Sequence, residues 1–183
     1  MWFRGGFYET LCGTPRADRL ECTEQGVRCN RPPLNEKGFE QAKALGERVK
    51  GLGIDIFVAS PLVRAQQTAA EVAKIIGAPI VTDSRLTEQN YGIYEGVDRG
   101  DERFLANKRQ FCVDYPNGES MFRVAHRVYN AIEDAKAKYA DKNVLFVCHG
   151  GVCRVIRTYF EAMTNEEYFG YSPDNAFLAE YEL

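Results

Sequence analysis

Strong charge, long apolar runs and regularly spaced cysteines are all missing from this chain, and histidine nearly so. The formal net charge is −3 over 183 residues, which gives no reason to expect nucleic acid or an acidic membrane as a partner. No window approaches the ~20 apolar residues of a membrane span. The start, Met1-Trp2-Phe3-Arg4-Gly5-Gly6, lacks signal-peptide architecture. Six cysteines in a chain this long do not form a disulfide scaffold. Cys12, Cys22 and Cys29 are irregularly spaced with no histidine among them, which argues against a zinc site. Cys148 and Cys153 fall in predicted core elements and are expected to be reduced, as in a cytoplasmic protein. Only two histidines exist, His126 and His149, so any chemistry needing a histidine pair has few candidates.

The periodicity from Pro33 onward is regular. Asn35-Glu36-Lys37-Gly38 opens a helix with Ala42, Leu45, Gly46 and Val49 on one stripe, ended by Gly51 to Gly53. Ile54 to Ala59 predicts a short strand broken by Ser60-Pro61. A helix over Leu62 to Ile76 follows, with Thr68, Ala69, Val72, Ala73 and Ile76 inward, and Gly77 stops it. Pro79 to Val81 is a short strand, Leu86 to Gly96 a loop, and Asp98 to Cys112 a helix. After the turn Pro116-Asn117-Gly118, a long amphipathic helix runs over Glu119 to Tyr139. Asn143 to Cys148 is a buried strand, Val152 to Phe160 a helix and Phe177 to Tyr181 the last strand. This alternation predicts a single α/β domain, a three-layer α/β/α sandwich with a mainly parallel sheet. Ligands in such folds bind beyond the carboxyl ends of the strands, where Ser60 and His149 fall. The first thirty residues break the pattern: Gly5, Gly6, Gly13, Pro15 and Gly26 lie among charged residues, and no clean strand precedes the first helix.

Phosphoryl transfer to a side chain needs a nucleophile, cations around the phosphate, a proton donor for the leaving oxygen, and donors for the equatorial oxygens. His149, with the N–H groups of Gly150 and Gly151 at a helix start, can supply part of that cradle. Arg64 lies in the first turn of a helix beginning at a strand end. An arginine there is mildly disfavoured by the helix dipole, so a bidentate phosphate grip gives it a reason to be present. Glu88, in a loop, can act as general acid where burial or a neighbouring anion favours its protonated form, although a loop glutamate is usually solvated. His126 lies mid-helix, one position off the apolar stripe, and is expected to be a boundary residue. Glu119 is a helix-cap partner or a ligand contact. Tyr91, Tyr94, Phe104, Phe111 and Tyr115 line a pocket lid or pack a core.

Five runs together resemble the histidine phosphatase family, the fold shared by cofactor-dependent phosphoglycerate mutases and small sugar-phosphate or ribazole-phosphate phosphatases. They are Pro33-Leu34-Asn35-Glu36-Lys37-Gly38; Ser60-Pro61-Leu62-Val63-Arg64-Ala65 with Gln67-Thr68-Ala69; Leu86-Thr87-Glu88 through Tyr91-Gly92 and Glu95-Gly96; Gly118-Glu119-Ser120; and His149-Gly150-Gly151. The resemblance covers residues 30 to 183. It implies a phosphoglycerate mutase-like fold with Arg64 as phosphate-binding arginine, Glu88 as proton donor and His149 as the second histidine. It makes Gly150 part of the phosphate cradle, and Tyr91, Glu119 and Asn175 candidates for the substrate pocket. Asn175-Ala176 resembles a loop that helps close that pocket. The implied partner is a small phosphorylated metabolite, with no cofactor, no metal, no nucleic acid and no membrane; a homodimer is compatible.

The family's signature, an amino-terminal strand ending in Arg-His-Gly and carrying the nucleophile, is absent. Phe3-Arg4-Gly5-Gly6 has glycine in the histidine's place, and stands about ten residues too far from Pro33-Leu34. The genetic code permits an explanation. Read one base later, codons allowed for Thr14 to Glu21 spell Arg-His-Gly-x-Thr-Asp-Trp-Asn, with the histidine codon straddling Pro15 and Arg16. In the same offset, Tyr8 to Gly13 can spell Met-Lys-Leu-(Phe or Tyr)-Val-Val, a start codon and a first strand. On this reading residues 8 to 26 are translated out of frame, a compensating change lies near Arg28 to Asn30, and residues 1 to 7 are upstream sequence. Residues 1 to 29 are then an aberrant segment with a disrupted first strand, before one domain over 30 to 183. The expected function is a phosphomonoesterase with a phosphohistidine intermediate in the intact gene product, the present chain being inactive. The alternatives are a phosphoglycerate mutase, disfavoured by the short span between Gly96 and Gly118, and a non-catalytic binder of phosphate ligands or proteins.

Overall fold

The computed structural model describes residues 6–11 (backbone only), 33–98 and 100–182. Five strands form one sheet: β1 (Gly6–Leu11), β2 (Ile56–Ala59), β3 (Ile80–Thr82), β4 (Val144–Cys148) and β5 (Leu178–Glu182). Their order is β3-β2-β4-β1-β5. All neighbours are parallel except β1 and β5. Among the described residues six α-helices accompany them: α1 (Glu36–Val49), α2 (Val63–Ile76), α3 (Glu102–Lys108), α4 (Met121–Lys138), α5 (Gly150–Phe160) and α6 (Asn165–Gly170).

Strand alternation builds the three layers. In β4, Leu145 and Val147 join Phe57 and Ala59 of β2 in a core with Leu45 and Val49 of α1 and Ala65, Ala69 and Val72 of α2. Val144, Phe146 and Cys148 point the other way, with Ile56 and Val58, into a core with Val124, Val128 and Ile132 of α4 and Val152, Val155 and Ile156 of α5. All five β4 side chains are buried, as the unbroken apolar run requires of a central strand covered on both faces. Each contributes roughly 1.5–3 kcal/mol by leaving water.

The helix ends follow from local chemistry. Asn35 caps α1, its Oδ1 accepting the Gly38 N–H at 2.9 Å. Gly77 closes α2 with φ +83°, its N–H donating to Ala73 O at 2.7 Å. Asp101 caps α3 through the N–H groups of Arg103 and Phe104, and Arg109 ends it. The helix expected over Asp98 to Cys112 is therefore shorter than its sequence span. Thr164 and Glu167 form a capping box on α6.

At the amino end β1 lies between β4 and β5, with Leu11 level with Cys148 and Thr10 with Leu178. The slot between β4 and β5 exposes two rows of backbone donors and acceptors, and any extended segment can satisfy them. Phe7-Tyr8-Glu9-Thr10-Leu11 has enough β-branched and aromatic content to fill it. Residues 12–32, including Cys12, Cys22, Cys29 and the Pro15-Arg16 junction, lie outside the described residues, as do residues 1–5. Among the described residues no helix is long and apolar enough to cross a membrane.

Candidate active site

Two adjacent strand ends bring residues 89 positions apart together. Ala59 of β2 is level with Val147 of β4, and Ser60 N–H continues the ladder to Val147 O at 2.9 Å. His149, one residue beyond β4, lies 2.8 Å through Nε2 from Ser60 Oγ. Both side chains are buried, at 1% exposure for His149 and 0% for Ser60. Ser60 Oγ also accepts the Leu62 N–H at 3.3 Å, fixing the entry to α2. Arg64 follows in the first turn of α2 and is 8% exposed, a degree of burial an ordinary surface arginine does not reach.

His149 is the N-cap of α5, extended at φ −135°, with no side-chain cap bond. The helix start is instead met by Glu88, whose Oε2 accepts the Gly151 N–H at 3.3 Å. Glu88 Oε1 accepts its neighbour Gln89 N–H at 2.8 Å. A carboxylate at a helix amino terminus is favourably placed for the dipole and the exposed N–H groups. Gly151 leaves the room: a Cβ there would lie 2.5 Å from Glu88 Oε1 and 3.4 Å from Tyr91 Oη. Ser60, Glu88, His149 and Gly151 thus meet at the carboxyl edge of the sheet, where α/β folds bind ligands.

The Glu88 loop is held from behind. Gly92, at φ +57°, lies so close to the Pro116-Asn117-Gly118 turn that a Cβ would come within 1.9 Å of Pro116 O. Ile93 N–H donates to Pro116 O at 3.0 Å and Glu119 N–H to Asn90 O at 3.0 Å. Tyr91 is buried with Phe104 and Tyr115, flanked by Tyr94, so four of the five candidate aromatics pack a core. Phe111 stacks with Phe169 and meets Tyr168 edge-on. Tyr168 and Phe169 line a small pocket beside Glu88 with Gln89, Lys108, Gln110 and Arg154. Burial pushes the Tyr168 phenol well above its ordinary range; its hydroxyl donates to Met121 Sδ at 2.7 Å.

Other candidates are placed differently. Glu119 forms an ion pair with Arg127, Oε1 to Nη2 at 2.8 Å and Oε2 to Nε at 3.1 Å. Charge pairing and a nearby backbone donor outcompete an open cleft for this carboxylate. Asn175 sits half-buried in the turn before β5, where Ala176 O accepts from Arg48 Nη1 at 2.9 Å. His126 is exposed on α4, its Nε2 3.2 Å from Asn130 Nδ2. Cys148 and Cys153 are buried, their sulfurs 3.5 Å apart. Among the described residues no cluster of three or more histidine, cysteine, aspartate or glutamate side chains could hold a metal.

Known proteins resemble this chain in sequence and in fold. It is 36% identical over 126 residues to an uncharacterized phosphatase of Bacillus subtilis, a match spanning 69% of this chain and 63% of that protein. It is 33% identical over 149 residues to a 2,3-bisphosphoglycerate-dependent phosphoglycerate mutase of a Methylobacterium species, over 74% of this chain and 72% of the mutase. The first relative thus extends well beyond the matched part. A mycobacterial glucosyl-3-phosphoglycerate phosphatase, solved with vanadate, superposes with a TM-score of 0.79 over 96% of this chain and 90% of that one, at 22% identity; this likeness speaks for the fold. The profile of the histidine phosphatase superfamily (branch 1) matches residues 21–183, and with nearly nine-tenths of its length so matched, the chain belongs to that superfamily.

Proposed function

We propose that the intact gene product is a phosphomonoesterase working through a phosphohistidine, and that the chain as it stands lacks the nucleophile. The carrying observation is the meeting of His149, Ser60, Glu88 and the α5 amino terminus at one strand edge. Family membership supports the chemistry.

In this mechanism a histidine nitrogen attacks phosphorus, forming an N–P bond as the ester P–O bond breaks. Arg64, His149 and the Gly150 N–H hold the equatorial oxygens. Glu88 gives its proton to the leaving alkoxide, then takes one from the water that cleaves the N–P bond, releasing inorganic phosphate. Ser60 fixes the imidazole face of His149.

The phosphoglycerate mutase alternative is disfavoured because only the seven-residue α3 stands between Gly96 and Gly118, leaving little surface to retain a phosphorylated intermediate. The non-catalytic reading describes the present chain, whose only other histidine, His126, faces solvent.

The test is direct. The first hundred or so bases of the gene are resequenced, and the frame-restored and present chains are assayed with an aryl phosphate. An intact Arg-His-Gly frame with hydrolysis confined to the restored chain is expected. A confirmed present sequence that hydrolyses nothing sinks the enzyme; a confirmed present sequence that does hydrolyse sinks the assignment of the missing nucleophile.

A further inference from the structure

Glu88 makes two contacts of its own, to Gly151 N–H and Gln89 N–H. Neither fixes where its carboxyl points, since one is to its own neighbour and the other is long. The position of the carboxyl must therefore come from the backbone of its loop, and one half-buried pair governs that backbone on both sides. Arg127, on α4, donates through Nη1 to Arg85 O, three residues before Glu88. The same guanidinium grips both carboxylate oxygens of Glu119. Glu119 Oε1 accepts the Asn90 N–H at 2.9 Å, two residues after Glu88. Glu119 O accepts from Gln89 Nε2 at 3.2 Å, and Glu119 N–H donates to Asn90 O. The two side chains are 19% and 20% exposed. Every polar arm of the pair is thus spent on the loop or on its partner.

We propose that Glu119 and Arg127 are positioning residues for leaving-group protonation: one charged clamp holding both flanks of the Glu88 loop so that its carboxyl meets the leaving oxygen over the α5 amino terminus. Neither residue touches phosphate. The clamp matters in proportion to how much the leaving group needs a proton. A nitrophenolate departs without one, whereas a simple alkoxide does not. The natural substrate class it serves is therefore the alkyl phosphate monoester.

The inference rests on the phosphatase reading, and the experiment separates the two. Single-turnover rates and KM are measured on the frame-restored chain for p-nitrophenyl phosphate and a simple alkyl phosphate, with the parent, Arg127→Met, Arg127→Lys and Glu119→Gln. Thermal unfolding is recorded for each. Displacing an acid by about 1 Å costs on the order of 10²-fold, so Arg127→Met should lose about that much on the alkyl ester and less than about threefold on the aryl ester, with KM little changed. Glu119→Gln keeps an acceptor for Asn90 N–H, and should lose less than Arg127→Met while retaining the selectivity. Arg127→Lys, which cannot span Arg85 O and both Glu119 oxygens, should behave like Arg127→Met. Folded variants that lose both substrates equally, or neither, overturn the clamp and leave the phosphatase standing. If Arg127→Met does not fold, Glu119→Gln decides by the same ratio. An inactive frame-restored parent overturns both.

Discussion

Replacing Gly151 with alanine separates the site's chemistry from its stability. An added Cβ would sit 2.5 Å from Glu88 Oε1, against an ordinary contact of 3.4 Å or more. The intruded atom is the end of a flexible side chain, so the carboxyl retreats rather than the backbone. A retreat of about 0.9 Å is of the size that costs on the order of 10²-fold in a positioned reaction. The stability terms nearly cancel. Losing the 3.3 Å bond from Gly151 N–H costs about 0.5–1.5 kcal/mol, and alanine gains roughly 0.5–1 kcal/mol over glycine in a helix. For a chain of this size the melting temperature should therefore stay within about 2–4 °C of the parent. The assay is a thermal melt of both proteins beside hydrolysis of an alkyl phosphate by the frame-restored chain. A Gly151→Ala protein that melts normally yet hydrolyses at the parent rate refutes the placement of Glu88 over the α5 amino terminus.

Two further outcomes follow from the same geometry. Ser60→Ala removes a 2.8 Å partner from a ring that is 1% exposed, and denaturant titration should show a loss of about 1–3 kcal/mol. Acid stability should depend on Asp83. Burial pushes its carboxyl up, but hydrogen bonds and attraction from Arg85 outweigh that and hold it below its ordinary 3.8. A depressed carboxyl contributes stability that is present above the unfolded value and lost as pH falls through the folded one. Asp83→Asn should therefore flatten the decline in stability below about pH 4, as read by urea unfolding at several pH values.

Much of the site was legible in the sequence because its residues stand where elements change. Arg64 follows a strand break, and His149 ends an apolar run before two glycines, so their placement at strand ends needed only period and punctuation. The contact between Ser60 and His149 was not legible, because it depends on β2 lying beside β4. The pairing of Glu119 with Arg127 was not legible either, because Glu119 lies before the start of α4 and reaches both Asn90 N–H and Arg127. β1 escaped notice for another reason. Its residues suit a strand but do not alternate apolar with polar, and its place is set by the backbone rows of β4 and β5. α6 had a readable signal, the capping box from Thr164 to Glu167, that its brevity concealed.

The central claim is that this site is complete once the reading frame is restored. Its most direct measurement is the trapping of acid-labile, base-stable phosphate on protein quenched during turnover, with the labelled peptide identified by mass spectrometry. The account predicts label on the frame-restored chain, on the histidine encoded across the Pro15 and Arg16 codons, and none on the chain as it stands. Label on His126 or His149 of the present chain would contradict it.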